Sequence, residues 1–187
     1  MQRVICLSKP TAIFVLGMHR SGTSALAGAL AASGVWLGDD LLEPAPGVND
    51  KGFWEHKELV RINEALLERA GLHWYSPLAA SRFASFEIGE AESLEDLREL
   101  AVRFASGLLY QGEERDASVV AIKDPRLCLT AGFWKRAFEE AGAQVAGLEL
   151  VRHPAEVARS LERRDGMVPS HANVLWLDHL LASVSFC

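Results

Sequence analysis

Apolar positions recur along the chain in two rhythms. Short, nearly unbroken runs stand at Ala12–Leu16, Ser118–Ile122 and Gln144–Val151. Runs of this length bounded by glycine or charge read as buried strands. Between them the spacing is three and four. Leu59, Ile62 and Leu66 mark a helix over Glu55–Ala70, with Gly71 as its stop. Leu94, Leu97, Ala101, Phe104 and Leu108 mark another, which Ser93 is placed to cap. An Ala- and Leu-rich segment ending at Gly34, a segment over Leu129–Ala141 before Gly142, one opened by His153-Pro154, and one over Ser170–Val184 complete the helices. Residues 35–54, rich in Gly, Pro and acids, read as a long functional loop. Residues 72–90 read as loop with little regular structure. Strands alternating with helices predict an α/β fold with a mostly parallel sheet, the strand before Gly17 near its centre, in a single domain over 1–187.

The chemistry starts where the first strand ends. Gly17-Met18-His19-Arg20-Ser21-Gly22-Thr23-Ser24 places two glycines, with four residues between them, between a strand and a helix. Such a loop turns backbone N–H groups and the positive end of a helix dipole toward a phosphate. The spacing is that of a P-loop, but Thr23 stands where a nucleotide-binding loop has lysine, and Arg20 is the nearest cation. The other two strands end in Lys123-Asp124-Pro125-Arg126 and in Arg152. Parallel strands share one carboxyl edge, where α/β proteins bind ligands. Arg20, Lys123, Arg126 and Arg152 therefore converge, and suit a ligand with more than one phosphate.

The whole-chain balance sharpens this. A formal net charge of −6 disfavours general nucleic-acid binding, so the anion site has to come from local clustering. Cys6, Cys128 and Cys187 are widely spaced and odd in number, which fits neither a disulfide framework nor a zinc site. With no signal peptide and no membrane-spanning run in the sequence, the cytoplasm is the expected location.

Two blocks carry a family resemblance. Arg20-Ser21-Gly22-Thr23-Ser24 resembles the 5′-phosphosulfate loop of sulfotransferases that use 3′-phosphoadenosine 5′-phosphosulfate. Leu148-Glu149-Leu150-Val151-Arg152-His153-Pro154, with Ser160 eight residues after Arg152, resembles their 3′-phosphate motif. Gly52-Phe53-Trp54-Glu55 is similar to a segment of bacterial and carbohydrate-type members. The resemblance spans about residues 12 to 165 and implies a three-layer, P-loop NTPase-like fold. It implies Gly17, His19, Arg20, Ser21, Gly22, Thr23 and Ser24 around the 5′-phosphosulfate, and Arg152 with Ser160 at the 3′-phosphate. Arg20 would stabilise charge at the sulfuryl group, and Glu55 would be the general base, with His56 as its rival. The donor is the co-substrate, no metal is expected, and the acceptor is a hydroxyl of a small molecule or carbohydrate. The chain resembles a C-terminally shortened member, because the family usually continues past this motif. Two other readings stay open: a P-loop kinase, for which Asp124 would be the magnesium ligand, and a non-catalytic remnant of the transferase. The aromatics near Trp54 and Trp74-Tyr75 are available either to stack on a sugar or to fill the core.

Overall fold

β1 (Thr11–Leu16) is the middle strand of a three-stranded parallel sheet, flanked by β2 (Val119–Lys123) and β3 (Gln144–Glu149). The computed structural model describes residues 9–45 and 52–187, so Cys6 and part of the long loop lie outside the described residues. Thr11 lies opposite Val119 and Gln144, and Val15 opposite Lys123 and Leu148. This register brings Leu16, Lys123 and Glu149 to one edge, as the parallel reading requires.

Strand alternation divides the packing between the two faces. Ala12, Phe14 and Leu16 join Val120 and Ile122 in the main core. There they meet α4 (Glu95–Glu113) and α5 (Leu127–Glu140), through Leu97, Ala101 and Leu108 from one and Trp134 and Phe138 from the other. Phe14 touches Phe138 edge-on at 5.4 Å and stacks on Phe186 at 5.6 Å. On the opposite face Ile13 and Ala121 pack against Ala27 and Leu30 of α1 (Thr23–Ala32). Trp54 also packs in this cluster, so it serves the core. A third cluster joins α6 (Pro154–Asp165) to α7 (Pro169–Phe186), with Met18 of the glycine loop among them.

Several elements differ from the sequence reading. Residues 72–90 are not a loop throughout: Ala79–Gly89 forms α3, which buries Ala79 and Phe83. Its first turn is capped from afar, because Asp178 Oδ2 accepts the Ala80 N–H at 3.2 Å. Ser93 does not cap α4. A 3-10 turn over Ala91–Leu94 leads into that helix, and the Ser93 hydroxyl donates to the Glu90 carbonyl. α2 spans Lys57–Arg69, so Glu55 precedes the helix and His56 is its N-cap, Nδ1 accepting the Glu58 N–H at 3.2 Å. β3 stops at Glu149, three residues short of Arg152. His153 caps α6 through the Ala155 N–H, at 3.3 Å.

Candidate functional site: a basic cavity at the strand edge

The glycine loop is tied to its surroundings at both ends. Gly17 has φ 141°, and a Cβ there would lie 2.6 Å from the Leu150 carbonyl oxygen and 2.8 Å from the Thr23 methyl. Only glycine fits. The Gly17 N–H donates to the buried Cys128 Sγ at 3.2 Å. Burial pushes that thiol up to about 12, so it stays neutral at physiological pH. Gly17→Ala is expected to cost about 1–3 kcal/mol from backbone strain, before the clashes are counted. Chemical denaturation checks it; a loss below that range would mean that the loop relaxes freely.

Gly22, at φ 95°, opens α1, whose first turn carries no side-chain cap and no acid. The first N–H groups of a helix have no partner within it, and they carry the positive dipole end. Gly22, Thr23 and Ser24 present this end to a cavity of about 520 Å³. That volume lies within the range of small-molecule sites, about 300–1,000 Å³. Among the described residues five cationic side chains line it, Arg20, Lys123, Arg126, Arg152 and Arg164, against one carboxylate, Glu55.

Arg20 is clamped from two elements. Its Nε donates to Ser160 Oγ on α6 at 2.8 Å, and its carbonyl oxygen accepts from Arg152 Nη1 at 3.1 Å. Arg152 also pairs with Glu156 at 2.7 Å. Burial, then the charges of Arg164 and Arg152, hold the Arg20 guanidinium below its ordinary pKa. The like charges repel, and a bound anion relieves that repulsion.

The carboxylate is buried with its partner. Leu42 N–H to the Glu55 carbonyl (2.7 Å) and Lys57 N–H to the Asp40 carbonyl (3.0 Å) fasten residues 40–42 against 55–57. This leaves Glu55 Oε1 2.5 Å from Lys123 Nζ, which also donates to the Phe53 carbonyl (3.1 Å) and to Ser24 Oγ (3.2 Å). Lys123 is 3% exposed and Glu55 7%. Burial raises the Glu55 carboxyl above its usual range, and the Lys123 ammonium opposes the rise. The lysine missing from the loop at Thr23 is thus matched by Lys123, which reaches the loop's Ser24 from the neighbouring strand.

Of the residues singled out from the sequence, His19, Arg20, Gly22, Thr23, Ser24, Glu55 and Arg152 line this cavity. Gly17 and Ser21 shape the loop from behind, Ser21 being buried with its N–H on the Met18 carbonyl. Ser160 is also buried and reaches the cavity only through Arg20. His19 lies against Trp74, ring centres 4.1 Å apart, and burial lowers its pKa. His56 faces elsewhere, edge-on to Phe104 at 4.8 Å, in a separate small cavity with Leu108 and Gln111. Asp124 is wholly buried and spends its oxygens on Asn63 (2.9 Å), the Arg126 N–H (2.9 Å) and the Arg126 guanidinium (3.0 Å). Asp124 is thus held in a salt bridge with Arg126. Arg164 escaped the sequence reading. Its signal was helical spacing: it stands four residues after Ser160, on the same face of α6.

The fold and the site define an α/β protein with a basic cavity at the carboxyl edge of a parallel sheet. Comparison with protein-family models, with curated proteins and with solved structures gives no match to this chain. Among the described residues no helix is long and apolar enough to cross a membrane.

Proposed function

We propose that the chain is a sulfotransferase on a three-layer P-loop scaffold, moving a sulfuryl group from 3′-phosphoadenosine 5′-phosphosulfate to a hydroxyl acceptor. One observation carries this reading: among the described residues, a glycine loop, the cations Lys123, Arg126 and Arg152 and the buried Glu55 carboxylate meet in one cavity. The donor supplies the activated sulfuryl group, so the chain has two phosphates to hold and one proton to take. Thr23, Ser24 and the α1 N-terminus suit the 5′-phosphate, and Arg152 the 3′-phosphate. Arg20, positioned by Ser160, and Lys123 supply positive charge where negative charge develops. Glu55 takes the acceptor proton. The commitment of both Asp124 oxygens favours this reading over a kinase, which would need an acid available for magnesium.

Arg152→Ala tests the phosphate assignment. Removing a charge-assisted contact costs about 1.5–3 kcal/mol, or roughly 10–150-fold in affinity. The loss is expected for adenosine 3′,5′-bisphosphate and not for adenosine 5′-phosphate. Calorimetry showing equal losses would reject the role of Arg152.

A pH profile tests the base. Only the ionised carboxylate accepts a proton, and burial raises the Glu55 pKa. Turnover is therefore expected to fall on acidification through a midpoint above the ordinary glutamate value of about 4.3. An acid limb at or below that value would mean that a solvated carboxylate is titrating instead.

A further inference from the structure

A second cavity, of about 380 Å³, adjoins the basic one, and Trp74 and Arg126 line both. We infer that this second cavity seats the acceptor, and that the acceptor is a neutral or amino saccharide. The inference rests on the sulfotransferase reading only for the word acceptor; the saccharide chemistry stands on the cavity itself.

The walls divide into three chemistries. The floor is apolar, with Leu67 and Leu72 2% and 1% exposed. One wall is aromatic: His73 and Tyr75 stack at 5.0 Å with 16° between their planes, and Trp74 stands edge-on to Tyr75. The rim carries Glu64 and Glu68, four apart on α2 and so on one helical face. Arg126 Nη2 holds Glu64 at 2.8 Å, on the side shared with the basic cavity.

A sugar ring has apolar C–H faces and an equatorial belt of hydroxyls. The faces fit against rigid aromatic rings, and the hydroxyls donate to carboxylates, which only accept. Rigidity is visible here. Ser76 N–H donates to the His73 carbonyl (3.0 Å), and the His73 N–H to Ser76 Oγ (2.9 Å). His171 of α7 bonds the Tyr75 carbonyl oxygen at 2.9 Å. A platform held in this way loses little freedom on binding. The same carboxylates repel an anionic sugar. An acceptor seated here shares Trp74 and Arg126 with the cavity that holds Glu55.

The test is saturation-transfer NMR on the full chain with galactose, N-acetylglucosamine, glucuronic acid and 4-nitrophenol, next to a calorimetric titration with adenosine 3′,5′-bisphosphate. Transfer is expected to galactose and N-acetylglucosamine, and more weakly to glucuronic acid. Tyr75 is 45% exposed, so Tyr75→Ala is expected to fold and to lose the sugar signal. Glu68→Ala, on the exposed face of α2, is expected to weaken it several-fold. Absence of a signal from both neutral sugars, signals unchanged in both variants, or transfer to 4-nitrophenol alone would overturn the saccharide seat. Sugars binding where the bisphosphate does not would leave the seat standing and remove the sulfotransferase reading. The bisphosphate binding where no sugar does would remove the seat alone.

Discussion

Lys123→Met is expected to destabilise the fold by about 3–5 kcal/mol, the cost of leaving one member of a buried ion pair without its partner. The partner is Glu55, 2.5 Å away, and neither side chain reaches bulk water to any extent. For a chain of this length about 2–4 °C of melting temperature accompanies each kcal/mol, so the transition moves by roughly 6–20 °C. Two controls identify the cause. Lys123→Met combined with Glu55→Leu removes both charges and is expected to recover most of the loss. In the single variant Glu55 has lost the charge that opposed the burial effect, so its folded pKa lies further above the unfolded one. A carboxyl raised in this way contributes stability at low pH that is lost as pH rises through the folded value. The deficit of Lys123→Met is therefore expected to shrink on acidification. A single variant within 1 kcal/mol of the parent would mean that Glu55 is solvated.

Glu55→Gln is expected to lower turnover by about 10²–10⁴-fold, the usual contribution of a general base. The amide keeps an oxygen to accept from Lys123 but leaves that buried ammonium without its counter-charge, so some stability is lost, while the affinity for adenosine 3′,5′-bisphosphate, measured well below the melting transition, should remain close to that of the parent. The loss then falls on the chemical step, which separates a catalytic carboxylate from a structural one. His56→Ala serves as the control. Its ring lines a different cavity, so its removal is expected to leave turnover intact. Activity surviving in Glu55→Gln and vanishing in His56→Ala would move the base to His56.

The parts of this molecule written locally were legible in the sequence. The run Ala12–Leu16, the two glycines after it and the charge after each strand carry their meaning in adjacent residues, and the parallel order with β1 in the middle followed from them. The basic character of the strand edge was legible too, because parallel strands put Lys123 and the loop at one end of the sheet. What escaped depends on distance along the chain. The cap on α3 comes from Asp178, and no local signal marks Leu78 as the start of a helix. The Glu55–Lys123 pair joins residues 68 apart, so Glu55 read as an acid at a helix start when it is the buried counter-charge of a strand end. The resemblance puts Ser160 at the 3′-phosphate, and the packing of α6, 140 residues from Arg20 in the chain, sets its hydroxyl against the Arg20 guanidinium.

Calorimetric titration of the unmodified chain tests most directly whether the basic cavity holds an adenosine bisphosphate rather than a magnesium nucleotide. Adenosine 3′,5′-bisphosphate is expected to bind at one site with the same affinity in magnesium and in chelator. Its affinity is expected to fall with salt, as a cavity lined by Arg20, Lys123, Arg126, Arg152 and Arg164 requires. No saturable heat with the bisphosphate, or binding of ATP that appears only when magnesium is added, would contradict the account.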